Sequence, residues 1–448
     1  MYNTYVKVSS RWVNKIPSYW QFLKIKEIFV KRKERNNPIV TDFILSLSAR
    51  NGVTPYHERT ERGGNKPKND LTQYDVAHKN DLLINCMNIV AGSVGITKWK
   101  GAISPVYYAL YPRSNRVNIR FAEYIFRLYS FQRSLIGLGK GIQMHESESG
   151  VLSTVRMRIP MSSLNNIELP LPPRLEQDHI VRYLDWKISM INKYIGAKKK
   201  QIELLKKQRQ AVINETVRRG HGQKYRFRHL FTLIKGLNIT KADLVDSGVP
   251  CVSYGEIHSR YGFAVNPDIN ALRCVEKKYL KTNLKSLMKY GDFVFADTSE
   301  DIAGSGNFTY LNSNTQAFAG YHTIIARPNK VMNYRYLAYF FDSLLFRKQI
   351  QQNVNGVKVY SITRSILNDT YIFLPSADEQ LSIVALLDEQ CERIDKLVGK
   401  FNEEIMLFTE YRTRLISDVV TGRVDVQGEK VPEFEMYDQK IIEKEDDE

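Results

Sequence analysis

The chain has 448 residues, 43% hydrophobic and 11% aromatic, with 65 Lys and Arg against 48 Asp and Glu. That length supports about two to four folded domains, and no apolar run approaches the roughly 18 residues a membrane span needs. Net charge is +17; because Val431–Glu448 carries −6, residues 1–430 carry +23, an excess that attracts a polyanion, most commonly nucleic acid.

The start, Met1-Tyr-Asn-Thr-Tyr-Val-Lys7, has no apolar signal region. The cysteines, Cys86, Cys251, Cys274 and Cys391, are scattered with no CxxC, which points to reduced thiols in a cytoplasm.

Residues 1–165 read as a first globule. Trp12 to Trp20 with Leu23, Ile25 and Ile28 forms an apolar and aromatic opening, followed by the basic run Lys31, Arg32, Lys33 and Arg35. Asn51 to Asp70 is rich in Gly, Pro, Asn and charge and reads as a loop. Asp81 to Asn85 reads as a buried strand, Ala91 to Gly95 as a turn, and Ala102 to Leu110 as a further β-rich run. Helical spacing covers residues 121–136, and a flexible basic loop from Gly137 to Gln143 carries Lys140.

Residues 223–370 repeat this plan loosely. Strands are expected at Val249 to Gly255 and Gly291 to Ala296, a turn at Ala303 to Gly306, one amphipathic helix from Tyr334 to Ile350, and a basic glycine loop from Asn353 to Tyr360. The segments at 166–222 and 371–426 are long helices, and 427–448 is an acidic tail whose composition predicts disorder.

The long helices are duplicates. Leu171 to Lys193 aligns without a gap with Leu374 to Lys396 at an offset of 203, with ten identities in 23 positions, Glu176/Glu379, Gln177/Gln380 and Asp185/Asp388 among them. Both copies continue as heptads: Val181, Leu184, Ile188, Ile191, Ile195, Lys198, Ile202, Leu205, Arg209, Val212 and Thr216 in the first. The second runs Val384, Leu387, Cys391, Ile394, Val398, Phe401, Ile405, Phe408, Arg412, Leu415 and Val419. Steps of three and four keep one stripe toward a partner helix. The helices begin after Pro173 and near Asp378 and end near Gly220 and Gly422, where a left-handed cap is cheapest. About 40 residues make a rod of roughly 60 Å. A duplicated unit meets its copy most simply about a two-fold axis, so the expected fold is α+β: two mixed α/β globules and two long helices in an antiparallel coiled coil. Arg209 and Arg412 share one seam position, which costs stability unless the head finds a carboxylate or water; the pair marks where the helices part to receive a partner.

Catalytic motifs are sparse. There is no GxxxxGK[ST] and no Asn/Asp-Pro-Pro-aromatic loop of an amino-methyltransferase. Pro267-Asp268 with Glu276 and Lys278 is a weak match to a magnesium nuclease centre, and the eight histidines form neither HExxH nor a Cys/His cluster, so no metal is assigned. The basic loops suit DNA better: Lys and Arg neutralise phosphates while Asn, Gln and Arg reach base edges. On that chemistry the DNA-binding candidates are Lys31, Arg32, Lys33, Arg35, Lys140 and Gln143 in the first globule, and Asn355, Lys358, Tyr360 and Arg364 in the second.

With doubled Leu-Pro…Glu-Gln…Ile-Val…Leu-Asp…Ile helices, Asp81 to Gly95, Gly291 to Gly306 and Thr421-Gly-Arg-Val-Asp425, residues from about 12 to 426 resemble the specificity (S) subunits of type I restriction–modification enzymes. The resemblance implies a non-catalytic protein whose globules each read one half of a bipartite DNA site, with the helices setting the gap between them. It implies docking of two methyltransferase subunits on the helices, with Glu176, Gln177, Arg209, Glu379, Gln380 and Arg412 as docking candidates. S-adenosylmethionine would reside on those partners, and ATP and Mg²⁺ on separate motor–nuclease subunits, leaving this chain without a cofactor. The alternatives are a self-contained DNA enzyme, such as a nuclease using Asp268, and a coiled-coil scaffold without DNA function.

Overall fold

The computed structural model describes residues 2–59, 66–139, 144–146, 152–154, 158–220, 222–356 and 359–437. The chain divides into two compact units, residues 1–198 with 403–448, and residues 199–402. Each unit holds a mixed α/β globule, half of one long helix and half of the other.

In the first unit, β1 (Gln21–Lys24), β2 (Phe29–Lys31), β3 (Leu82–Asn85), β4 (Val94–Ile96) and β5 (Tyr107–Pro112) precede helix α1 (Ile119–Phe126). Strand β6 (Glu168–Leu171) then leads into the long helix α2 (Arg174–Arg219). The sheet order is β2-β5-β3-β4, antiparallel throughout. β3 is buried at every position, as its apolar run Leu-Leu-Ile requires of a central strand. β6 pairs with β1, with Leu171 opposite Gln21, so the long helix leaves the globule beside β1.

The second unit repeats the plan: β7 (Gln223–Arg226), β8 (Phe231–Lys235), β9 (Phe293–Ala296), β10 (Phe308–Leu311) and β11 (Thr323–Pro328), then α3 (Tyr334–Asp342), β12 (Tyr371–Leu374) and α4 (Ala377–Val420). Its sheet runs β8-β11-β9-β10, extended by Phe263–Val265 parallel to β10, and β12 pairs with β7 as β6 does with β1. A one-turn helix joins β1 to β2, and another joins β7 to β8, each burying its first residue, Ile25 or Phe227, completely. The first core gathers Trp20, Phe121, Phe126 and Phe131; the second is richer in phenylalanine, with Phe227, Phe231, Phe293, Phe308, Phe340 and Phe341.

The long helices run antiparallel within each unit. In the first, Tyr194 meets Glu404 and Phe408 while Asn192 meets Arg412. In the second, Arg209 reaches Asp395 while Gly220 lies against Ile383. The heptad stripe describes the middle of each helix, where Leu184, Ile191, Ile195 and Ile202 are buried. At both ends of α2 and at the start of α4 it shifts by one residue, whereas Leu415 and Val419 at the end of α4 stay on the stripe. Ile180, Ile213, Val217 and Ile383 are the buried positions in place of Val181, Val212, Thr216 and Val384. A straight helix drifts by roughly 20° per heptad, and at its ends it packs on a globule instead of only on a second helix.

Four local expectations change. Gly52–Pro55, inside the expected loop, is a strand paired with Leu45–Ser48. The expected single helix from Tyr334 is two helices, Tyr334–Asp342 and Leu344–Gln351, because Ser343 is extended (φ −72°, ψ 151°) and its hydroxyl bonds the Phe340 carbonyl. Gly422 adopts the left-handed cap (φ +73°), where an added Cβ would lie 2.4 Å from Pro17 Cδ, but Gly220 is not among the positive-φ glycines. Residues 427–437, read from composition as the start of a disordered tail, lie along α2: the Tyr437 amide bonds Ser189 Oγ (2.8 Å), whose hydroxyl bonds the Glu435 carbonyl (3.2 Å). Among the described residues no helix is long and apolar enough to cross a membrane.

Candidate nucleic-acid interface and the clasps behind it

The first basic run leaves β2 at its sheet edge, so alternate residues turn inward and outward. Lys31 lies over the Tyr108 ring at 4.9 Å. Arg32 forks onto Asp81, Nε to Oδ2 at 2.6 Å and Nη2 to Oδ1 at 2.8 Å, and stacks on Tyr111. The hydrogen bonds to Asp81 raise the Arg32 guanidinium further above its usual range, so this charge is already neutralised within the fold. Lys33 and Arg35 are exposed, with Arg35 held 3.1 Å from Asp75. Lys140 and Gln143 lie outside the described residues, as does Lys358.

In the second globule Tyr360 belongs to a two-residue strand paired with Thr298–Ser299, and Asn355 bridges to Ser361. Arg364 is exposed in the first turn of a helix that Thr363 caps through its hydroxyl. This pairing places the candidate loop against residues that the sequence reading missed. The exposed His322, at φ +55°, has Nδ1 3.3 Å from Asp297 Oδ1 and 3.4 Å from Thr298 Oγ1. Behind Thr298, His258 bonds its carbonyl, Asn307 bonds His258, and Arg347 bonds both Asn307 and Asp342. No local pattern marks these residues, because they converge from separate segments of the chain.

The docking candidates have partners inside the fold. Glu176 is buried, and its carboxylate accepts from Tyr2 (2.7 Å), Tyr19 (3.1 Å), Trp20 (3.1 Å) and Gln427 (3.1 Å). Burial first, and this hydrogen bond second, push the Tyr2 phenol far above its ordinary value. Gln177, fully buried, donates to the carbonyls of Pro172 (2.7 Å) and Arg116 (2.9 Å) and accepts from the Asn118 amide (2.8 Å). Its copy Gln380 donates to the Pro375 carbonyl at 2.9 Å, while the Glu379 amide lies 3.3 Å from Ser376 Oγ. Arg209 pairs with Asp342 and Asp395, and Arg412 bonds Asn192.

The duplicated aspartates explain their own repetition. Arg120 and Tyr124 of α1 hold Asp185 at 3.1 and 2.5 Å, and Arg335 and Tyr339 of α3 hold Asp388 at 2.8 and 2.6 Å. The same Arg-x-x-x-Tyr pair, one helical turn apart, clasps each long helix to its globule.

Asp268 bonds the hydroxyls of Ser313 (2.5 Å) and Thr315 (2.6 Å), while Glu276 pairs with Lys278 at 2.9 Å. Among the described residues no three or more His, Cys, Asp or Glu side chains are placed to hold a metal ion.

The model of the type I restriction modification DNA specificity domain family matches residues 17–204. The specificity subunit of the type I restriction enzyme MjaVIII from Methanocaldococcus jannaschii is 21% identical over 438 residues, covering 92% of this chain and 95% of that one. A chain solved in work on complex assembly and conformational transition of the type I R-M system superposes with a TM-score of 0.68 at 13% identity, covering 91% of this chain and 99% of that one. The HsdS subunit from Thermoanaerobacter tengcongensis does so with a TM-score of 0.50 at 14% identity, covering 91% and 98%. These two structures share the fold of paired globules on long helices. A family match that runs through the first globule into the clasped helix, a relative aligned along nearly the whole chain, and a second globule built to the same plan all point one way: the chain is similar along its length to the specificity subunits of type I restriction–modification systems.

Proposed function

We propose that the chain is the non-catalytic DNA-recognition subunit of a type I restriction–modification complex and that each globule reads one half of a bipartite duplex site. The observation that carries this reading is one sheet plan and one Arg–Tyr–Asp clasp used twice behind different exposed loops. Identical supports under divergent surfaces suit two readers of different short sequences. Lys33, Arg35 and Lys140 supply phosphate contacts in the first half, with Gln143 at a base edge. Asn355, Lys358, Tyr360 and Arg364 serve the second half. The long helices set the unread gap, and two methyltransferase subunits dock on the assembly, bringing S-adenosylmethionine for adenine methylation. Motor–nuclease subunits bring ATP and Mg²⁺. The complex works on DNA in the cytoplasm.

The test is selection of bound sequences from random duplexes at two salt concentrations, using the chain with its co-expressed methyltransferase. Two fixed motifs with a constant gap are expected, and exchanging one globule should change one motif only. Binding that ignores sequence and disappears with salt would reduce the chain to a phosphate binder.

A further inference from the structure

The two units carry equivalent clefts with different charge. In the second unit a cleft of about 620 Å³ is lined by Arg209, Arg335, Tyr339, Asp388 and Asp395. Arg209, largely buried, lies 3.2 Å from Asp395 and 3.4 Å from Asp342, the ninth residue after the cap Asn333. Burial opposes its charge, but Asp395, Cys391 and Asp342 together raise the guanidinium. The cleft neutralises itself.

The first unit has the matching cleft, about 960 Å³, lined by Arg120, Tyr124, Arg127, Ile188 and Arg412 together with residues of the loops at 49–50 and 91–92. At the 203 offset Arg412 matches Arg209, and Asn192 stands where the second unit has Asp395. Counting nine residues from the helix cap Asn118, Arg127 stands where the second unit has Asp342. Both counter-charges are therefore lost, one to an amide and one to a cation. Arg412 bonds Asn192 Oδ1 at 2.5 Å and has no carboxylate partner among the described residues; burial alone lowers its guanidinium. Arg127 is exposed, and among the described residues its side chain bonds only the Ala49 carbonyl. The other acids do not fill the gap: Glu123 pairs with Arg120, Asp418 lies between Arg414 and Arg423, and Glu410 is solvent-exposed.

We propose that this cleft is an oxyanion site in which Arg412 and Arg127 take a phosphate or carboxylate group in place of the two aspartates that the second unit supplies internally. A guanidinium fork fits either group with paired hydrogen bonds, and a half-buried one gains most from it because solvent screens it least. Two sources share this chemistry: a free phosphate-bearing solute, and the acids of residues 438–448, which lie beyond the described residues. Their sequence holds six acids and two lysines, and it follows Tyr437, which is bonded to Ser189 beside the cleft residue Ile188.

The test is thermal unfolding of the full chain in inorganic phosphate against chloride at matched ionic strength. The comparison covers wild type, Arg412→Gln, Asn192→Asp and a chain with Glu443, Glu445, Asp446, Asp447 and Glu448 changed to amides. Phosphate should raise the wild-type Tm by about 2 to 4 °C more than that of either cleft variant. Asn192→Asp, which restores the second unit's pairing, should also raise Tm without phosphate. If wild type is unresponsive but the amide chain gains a phosphate response that Arg412→Gln removes, the site is confirmed and its occupant is the chain's own acidic segment. An equal phosphate response in all four proteins, with no gain from Asn192→Asp, would overturn the proposal.

Discussion

The phenol of Tyr339 donates a 2.6 Å hydrogen bond to Asp388, the carboxylate carried by the second long helix where the first carries Asp185. Asp185 receives Tyr124 at 2.5 Å in the same way, and each aspartate also faces an arginine one turn back. The clasp is what the duplication preserves on the globule-facing side of the helices.

Breaking it should be costly and cooperative. Asp185 has 17% of its side chain exposed, so Asp185→Asn should lower stability by about 1 to 3 kcal/mol. Because Tyr124 and Asp185 share one contact, Asp185→Asn and Tyr124→Phe should couple by about 1 kcal/mol in a double-mutant cycle read by urea unfolding. Strict additivity would show that the contact does not hold the helix.

The aromatic cluster on Glu176 predicts a pH limit. Burial raises the Tyr2 phenol, and Tyr124 and Tyr339 are likewise raised chiefly by burial. A raised folded value means that the unfolded chain releases the proton first. Stability is fully present below the unfolded value of about 10 and falls as pH rises above it toward the folded value. Tyr2→Phe should remove about one proton from the alkaline slope of unfolding free energy against pH; an unchanged slope would assign the loss to other groups.

Arg32 and its neighbours should separate in function. Arg32 is paired with Asp81, whose side chain is almost fully buried, so Arg32→Ala should lower stability by about 2 to 4 kcal/mol. Lys33→Ala and Arg35→Ala should leave stability within about 0.5 kcal/mol and each reduce the slope of log affinity against log salt by about 1. The check is DNA binding measured across a salt series beside urea unfolding. A larger salt-slope change from Arg32 than from Lys33 would reverse this division.

Cys251 is almost fully buried, and burial pushes its thiol up to about 12. A thiol-reactive disulfide reagent at neutral pH should therefore leave it unmodified in the native chain and label it at the rate of unfolding. Fast labelling without denaturant would show that the strand Val249–Val252 opens locally.

The sequence by itself determined the duplication, the two long helices and the central strands at Leu82 and Phe293. Those signals are local: a heptad, an apolar run or a cap is written in residues a few positions apart. Only the tertiary structure decided which strands neighbour one another, that Gln177 ties Pro172 to Arg116, and that Asp185 meets a tyrosine 61 residues earlier. It also decided that the buried stripe moves from Val212 to Ile213, and that Asp297, Thr298 and His322 stand beside Tyr360. The unequal charges of the two clefts emerge only once α1 and α3 are set against the long helices, because Arg127 and Asp342 are nowhere near Arg412 and Arg209 in sequence. Such partnerships depend on closing long loops and on which face a packed helix turns inward, and neither is encoded in any short stretch of residues.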